Sequence, residues 1–133
     1  MNTSSLHRDA PEAVVERQFA AYLARDVEAW LATFAPDARQ FEHPGKLLTT
    51  GHAEIRARLG NRFEQPCSHA ELLPRVVIGK MVIDHELVTR EFPEGVGTVE
   101  MVCIYIVENG RIQSASFTAE PPVMELKKKK KKA

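Results

Sequence analysis

The sequence predicts an α+β fold in which a curved mixed or antiparallel sheet wraps around three helices near the N-terminus. Apolar residues recur at helical spacing in the first half of the chain, whereas the second half holds long runs of apolar and β-branched residues typical of strands. Between two of these runs, Asn109-Gly110 has the sequence of a two-residue hairpin turn. Such a sheet encloses an apolar cavity between its concave face and the helices, where a small molecule would bind.

The predicted helices all lie in the first half of the chain. The first spans residues 11–24, with proline in its opening turn and a capping-box pattern that begins at Asp9. Asp26 is a suitable N-cap for the second, which ends at Pro36, and the third spans residues 52–63. Each helix has one apolar face, formed in order by Val15, Phe19 and Tyr22, by Val27, Trp30, Leu31 and Phe34, and by Ile55, Leu59 and Phe63.

The predicted strands follow a different period. A short strand at 38–42 is broken by Pro44-Gly45, and a loop then reaches Gly51. Four long strands fill the second half, with Gly79-Lys80 as the turn between the first two. These strands are expected over residues 72–78, 81–92, 98–108 and 111–119.

The net charge of zero hides an uneven distribution along the chain. Residues 127–132 are six consecutive lysines, and without them 12 basic residues face 18 acidic ones. We expect residues 127–133 to be a disordered tail or tag, and residues 1–126 to form one domain. An acidic body argues against nucleic acid as the natural partner because phosphate binding needs a basic face, although the lysine run itself has the charge of a nucleic-acid or membrane-binding tail.

Several kinds of site have no signature in the sequence. Cys67 and Cys103 form no CxxC pair, and no spacing resembles a metal-binding helix such as HExxH, so we predict neither a metal nor another cofactor. Residues 1–12 lack the apolar run of a signal peptide, and no stretch approaches the ~18 apolar residues of a membrane span. We therefore expect a cytoplasmic protein with reduced thiols and no membrane contact.

Four motifs resemble the nuclear-transport-factor-2-like superfamily, the cone fold of ketosteroid isomerases and SnoaL-like polyketide cyclases. In order and spacing they cover residues 11–119, and they imply a cone-shaped domain with a small cofactor-free enzyme activity. The motifs are a helical hairpin at 21–30, Phe34-Ala35-Pro36-Asp37-Ala38, Gly51 with Glu54-Ile55-Arg56, and Glu108-Asn109-Gly110-Arg111-Ile112.

His43 stands at the position of the catalytic base in ketosteroid isomerase, which the first half most resembles. The base there is the aspartate of an E-D-P run, which reads Glu42-His43-Pro44 in this chain. Neighbouring strand residues face opposite ways, so at most one of Glu42 and His43 points straight inward, and either is a candidate base. The family's oxyanion-hole tyrosine and aspartate fall near Gln18 and Val102, so neither donor is retained. The alternative for His43 is an exposed loop histidine.

His85 is a second candidate, in the middle of a predicted strand. Alternation places it on one face with Ile83 and Leu87, which we expect to be the buried face, and puts Asp84 and Glu86 on the surface. A buried imidazole needs a partner because an unsatisfied polar group costs roughly 1–3 kcal/mol. His85 is thus either an acid–base group or a satisfied core histidine.

Glu100 is placed by strand register. A two-residue turn at Asn109-Gly110 pairs Val102 with Phe117 and Glu100 with Ala119. By the resemblance, this part of the last strand lines the cavity, so Glu100 lines it too and can act as an acid or base. A slip of one residue would instead put Glu100 in solvent.

The leading hypothesis is an enzyme of the isomerase, cyclase or dehydratase type that acts on a hydrophobic carbonyl compound resembling a steroid, terpenoid or polyketide. His43 or Glu42 removes a proton next to the carbonyl, and Glu100 or His85 stabilises the enolate. The alternative is a non-catalytic ligand-binding or dimerisation module whose cone is filled by side chains. For the enzyme we expect a pocket on the order of 300 Å³ or more, lined by Trp30, Phe41, Val102 and Phe117.

A homodimer is expected through the convex face of the sheet. The same register turns an apolar row away from the cavity, and such a row is too large to leave in water. Relatives with the cone fold also pair in this way. The row consists of Met101, Cys103, Tyr105 and Val107.

Overall fold

The computed structural model describes residues 7–125 as three α-helices, a short 3₁₀ turn and one curved seven-stranded sheet. The helices are α1 (Pro11–Ala24), α2 (Val27–Ala32) and α3 (Gly51–Leu59), and the 3₁₀ turn is Arg62–Glu64. The strands are β1 (Phe34–Glu42), β2 (Lys46–Thr50), β3 (His69–Ile78), β4 (Met81–Phe92), β5 (Gly95–Glu108), β6 (Arg111–Ala119) and β7 (Val123–Met124).

The sheet is mixed and runs in the order β2-β1-β6-β5-β4-β3, with β7 pairing with the start of β5. Strand β1 is parallel to β6, and all other neighbours are antiparallel. The helices cover the concave face, where their apolar sides meet those of the strands in one core. The predicted α+β class is confirmed. The lysine tail lies outside the described residues.

The sequence analysis expected three helices grouped near the N-terminus. The third helix departs from this expectation, because both β1 and β2 come before it. Strand β1 starts earlier than predicted, at Phe34, and its pairing with β6 is irregular around Pro36, which has no N–H to donate. Pro44-Gly45 lies in the turn of the β1–β2 hairpin, and β2 was predicted as loop.

The ends of the first two helices are set by local chemistry. Helix α1 has no side-chain cap at Ala10, so the predicted capping box is wrong, and the helix ends where Arg25 adopts a left-handed conformation. Asp26 caps α2 as predicted, since its carboxylate accepts a hydrogen bond from the amide of Ala29 at 3.1 Å. The short connection turns α2 back across the concave face and buries Trp30.

A β-bulge changes the register that was predicted for the last hairpin. Glu108 pairs with Arg111 as expected, but Gln113 is left unpaired, and beyond it Phe117 pairs with Cys103 rather than with Val102. The inner face of β5 therefore carries Met101, Cys103, Tyr105 and Val107, the residues that we had placed on the convex face.

The same inversion continues into β4, which pairs with β5 without interruption. Asp84 and Glu86 are buried, at 0% and 7% exposure, while His85 lies on the opposite, half-exposed face. The expectation of surface acids and a buried histidine is therefore wrong. Asp84 is satisfied by Arg75, whose Nε and Nη2 donate to its two carboxylate oxygens at 2.6 and 3.0 Å.

Candidate active site

An inner chamber of about 60 Å³ lies between the helices and the concave face of the sheet. Its apolar wall includes Trp30 and Phe34, whose ring centres lie 5.0 Å apart, and the Trp30 ring is backed by Phe63 at 5.8 Å. Its polar wall combines one carboxyl group with three guanidinium groups. The charged, amide and aromatic lining residues are Gln18, Phe19, Tyr22, Trp30, Phe34, Gln40, Arg58, Arg62, Glu86, Arg90, Tyr105 and Phe117.

An outer cleft of about 300 Å³ opens beside the inner chamber. Four residues line both spaces and so form a neck between them: Arg58, Arg90, Met101 and Phe117. The remaining lining residues of the cleft are Glu42, His43, Leu48, Val99, Thr118 and Ala119. The single pocket of about 300 Å³ or more that we expected is thus divided into a small polar chamber and a larger, more open cleft.

Glu86 is the acid of the inner chamber. Burial and, to a smaller extent, the charge of Asp84 raise its pKa to about 7, against the opposing effects of Arg75 and Arg90. Arg75 cannot neutralise Glu86 as it does Asp84, because its hydrogen bonds go to Asp84 and to Glu16. Two acids on one face of β4 therefore have different partners, and Glu86 is suited to exchange a proton near neutral pH.

The three arginines of the chamber come from different elements. Burial and, after it, the nearby charge of Arg90 lower the pKa of Arg62 to about 10. The pKa of Arg58 is lowered by the same two causes. Arg58 also donates to Gln40 Oε1 at 3.3 Å, and its guanidinium lies 5.2 Å from the centre of the Phe117 ring.

Several buried polar atoms around the chamber have no hydrogen-bond partner among the described residues. Four of them belong to lining residues: Gln18 Oε1, Tyr22 OH, Trp30 Nε1 and Arg90 Nε. Buried polar atoms in folded proteins are almost always paired, and leaving one unpaired costs about 1–3 kcal/mol. Their convergence on one chamber gives it four atoms with hydrogen-bonding capacity left for a polar group.

Four of the eight predicted site residues line one of these spaces and four do not. Trp30 and Phe117 line the inner chamber, and Glu42 and His43 line the outer cleft. The others, Phe41, Val102, His85 and Glu100, line neither space. The Phe41 ring lies 5.4 Å from the Arg39 guanidinium, on the other face of β1 from the buried Gln40.

His85 and Glu100 form a pair on the outer face of the sheet, with His85 Nε2 2.7 Å from Glu100 Oε2. Their predicted position in the cavity is wrong because the bulge at Gln113 inverts the faces of β5 and β4. The acid that lines the inner chamber is Glu86 and not Glu100. The sequence analysis missed Glu86 and the three arginines. The i, i+4 spacing of Arg58 and Arg62 was the signal available for two of them.

No cluster of three or more metal-binding side chains occurs within residues 7–125. None of the helices in that part of the chain is long and apolar enough to cross a membrane.

Residues 15–115 match the model of the SnoaL-like domain family. The chain therefore belongs to the SnoaL-like family, within the nuclear-transport-factor-2-like superfamily of cone-shaped folds that the sequence resembled. No curated protein sequence matches the chain.

Solved structures share the fold at low sequence identity. An uncharacterised cystatin-fold protein from Novosphingobium aromaticivorans is 24% identical, with a TM-score of 0.74, and the match covers 82% of this chain and 97% of that one. A candidate SnoaL-like polyketide cyclase from Jannaschia sp. CCS1 is 18% identical, with a TM-score of 0.71 and coverages of 84% and 85%. TerC, co-crystallised with polyporic acid, is 16% identical, with a TM-score of 0.70 and coverages of 84% and 92%. At these identities the similarity shows the fold alone.

Proposed function

We propose that this protein is an enzyme that transfers a proton on a hydrophobic carbonyl compound, in a reaction of the isomerase, cyclase or dehydratase type. The observation that carries the proposal is the composition of the inner chamber. A buried carboxyl group, Glu86, faces the same small space as the unpaired donors Tyr22 OH and Trp30 Nε1. An acid–base group beside free hydrogen-bond donors is the arrangement that enolate chemistry requires.

Glu86 acts as the base in this scheme. Its carboxylate takes a proton from the carbon next to the carbonyl, the C–H electron pair moves into a new C=C bond, and the carbonyl oxygen becomes an enolate. Tyr22 OH or Trp30 Nε1 donates a hydrogen bond to that oxygen. In a β,γ-unsaturated substrate, Glu86 then returns the proton to the γ-carbon while the enolate electrons re-form the C=O bond and the C=C bond shifts into conjugation, which completes an isomerisation. A side chain with a pKa near 7 performs both steps at neutral pH.

His43 and Glu42 lie in the outer cleft, one neck away from Glu86. The resemblance to ketosteroid isomerase implied that one of them is the base, and we propose instead that one of them exchanges a proton with the distal end of the substrate. The backbone amide of His43 donates to the carbonyl of Phe117 at 2.8 Å, which ties the β1–β2 turn to a residue of the neck. The turn is therefore held against the entrance of the chamber.

The relatives support a small-molecule role for the cone. One protein of this fold is a candidate polyketide cyclase, and another, TerC, was co-crystallised with polyporic acid. We extend to this chain the coarse property that a small organic molecule occupies the cone.

The test is deuterium exchange at carbon, followed by proton NMR in D₂O with a panel of enones and 1,3-dicarbonyl compounds. We expect accelerated loss of the α-proton signal with the parent protein, and a rate at least about 100-fold lower for Glu86→Gln, because general acid–base groups contribute roughly that much or more. Glu100→Gln is the matched control on the outer face and should exchange at the parental rate. Equal rates for Glu86→Gln and the parent would contradict the assignment of the base.

The alternative is a non-catalytic module that binds a ligand or a partner chain. It is favoured by one observation, the small volume of the inner chamber, about 60 Å³. Ligand binding without any exchange catalysed by the parent protein would support this alternative.

We also propose that two copies pair through the convex face of the sheet. The observed register gives this face an apolar row different from the predicted one, and all its members are half-exposed in the single chain: Ile83, Leu87, Val102, Ile104 and Ile106. Cytoplasmic location stays a prediction from the sequence.

A further inference from the structure

We infer that the substrate of this site is an oxo acid, with a carboxylate held by the arginines of the inner chamber and an apolar body in the outer cleft. The carbonyl part of this inference rests on the proposed function. The carboxylate part rests on the chamber itself.

The first argument is the unbalanced charge of the chamber. Arg58, Arg62 and Arg90 line it, and none of the three forms a salt bridge with any of the residues 7–125. Burial, and after it repulsion from the charge of Arg90, lowers the pKa of both Arg58 and Arg62. An anion placed among the three groups would relieve this repulsion.

Arg56 and Arg75 provide the contrast, because each is matched by at least one acid. Arg75 binds Asp84 and Glu16 at 2.6 and 2.7 Å, and Arg56 binds Glu28 at 2.6 Å. The chamber has one acid of its own, Glu86, whose raised pKa favours its neutral form. Within the inner chamber, three guanidinium groups thus share the single carboxyl group of Glu86, and Glu42 of the outer cleft acts on Arg58 through its charge without forming a salt bridge. The buried Nε of Arg90 lacks a partner among the described residues.

The second argument is the division of the space. The inner chamber, at about 60 Å³, has room for a carboxylate and the few atoms next to it but not for a ring system. The outer cleft, at about 300 Å³, is lined by Leu48, Val99 and the neck residues Met101 and Phe117, which suit an apolar body. Arg58 and Arg90 lie at the junction, where they can bind a carboxylate that enters first.

The position of Glu86 then limits where the reacting carbon lies. Glu86 and Arg62 line the same small chamber, so a carboxylate held by Arg62 and a C–H bond next to Glu86 belong to neighbouring parts of one molecule. The substrate is therefore an oxo acid in which only a few bonds separate the carboxylate from the acidic carbon.

The test compares two probes of matched shape, one anionic and one neutral. Calorimetric titration of the parent protein with 4-oxo-4-phenylbutanoate and with its primary amide should show the acid binding roughly ten- to hundredfold more tightly, the range expected for charged hydrogen bonds. Arg90→Gln and Arg62→Gln should remove this preference by weakening the acid alone. Arg111→Gln, an exposed arginine outside both spaces, should leave both affinities unchanged.

Three binding results would overturn the inference: equal affinity of acid and amide, an equal loss of acid binding in Arg111→Gln, or binding of inorganic phosphate as tight as that of the oxo acid. The comparison of the two probes on the parent protein needs no variant, so it stays decisive if a variant fails to fold. Arginine-dependent binding of the acid without deuterium exchange would refute the proposed function alone. Deuterium exchange of the amide at the same rate as the acid would support the proposed function and overturn the inference that the substrate carries a carboxylate.

Discussion

At the scale of single residues, Glu86 shows how partners decide the behaviour of an acid. It lies two positions from Asp84 on the same face of β4, and both are buried. The guanidinium of Arg75 is directed at Asp84 with two hydrogen bonds, whereas Glu86 experiences mainly loss of solvent and the charge of Asp84. The result is a pKa of about 7 against an ordinary 4.5.

This difference predicts how stability depends on pH. The folded pKa of Glu86 is raised, so its favourable contribution is complete below the unfolded pKa near 4.5 and is lost as pH rises through the folded value near 7. Glu86→Gln has no charge to bury. The variant should therefore gain stability over the parent as pH rises from 4.5 to 8, by up to roughly 3 kcal/mol.

Urea denaturation at several pH values measures this gain. Glu100→Gln is the control, because Glu100 is exposed and paired with His85, and its removal should cost no more than about 1 kcal/mol. If the difference in free energy of unfolding between Glu86→Gln and the parent does not vary with pH, Glu86 does not titrate in this range.

At the scale of elements, the bulge in β6 decides which residues enter the cone. Gln113 is the extra residue, and its amide donates to Asp37 at 3.0 Å. Ile112, before the bulge, and Ala115, after it, are both fully buried, so the bulge separates two inward-facing residues by three positions instead of two.

Two single-residue deletions test this interpretation. Deletion of Gln113 leaves regular alternation between Ile112 and Ala115, so we expect the protein to fold. Its free energy of unfolding should fall by only about 1–2 kcal/mol, because one hydrogen bond and a local twist are lost. Deletion of Ser116 on the same strand should turn Phe117 out of the chamber and cost more, on the order of 2–3 kcal/mol for that side chain alone. Equal losses in the two deletions would show that the bulge is required for the fold.

At the scale of the whole molecule, the cone has two faces with different roles. The concave face encloses the chamber, and the convex face carries the half-exposed row of Ile83, Leu87, Val102, Ile104 and Ile106 around the His85–Glu100 pair. A dimer that buries this convex row would leave the concave side, and with it the outer cleft, accessible.

The proposed dimer predicts a mass in solution of about twice 14.9 kDa by light scattering at low micromolar concentration. Ile104→Lys should give the mass of a single chain, because a charge in the centre of an apolar interface is costly to bury. Ile78→Lys, at the tip of the β3–β4 hairpin where Ile78 is 68% exposed, should leave the dimer intact. A monomeric parent protein would contradict the dimer.

Local sequence patterns determined most of the secondary structure. The bounds of α1, β4 and β6 agree with the prediction, as does the turn at Asn109-Gly110, because apolar spacing, Pro, Gly and Asn act within a few residues. The superfamily also followed from the sequence, since its motifs keep their order along the chain. Trp30 and Phe117 were correctly placed beside the cavity.

Only the tertiary structure decided which face of β4 and β5 is the inner one. Both faces carry apolar residues, so alternation by itself allowed either choice, and the unpaired Gln113 set the outcome. Glu86, with Arg90 four residues along the same strand, was then brought beside Arg58 and Arg62, which are far from it in the chain. Charge partners of this kind depend on strand register and helix packing, which arise from contacts between distant segments.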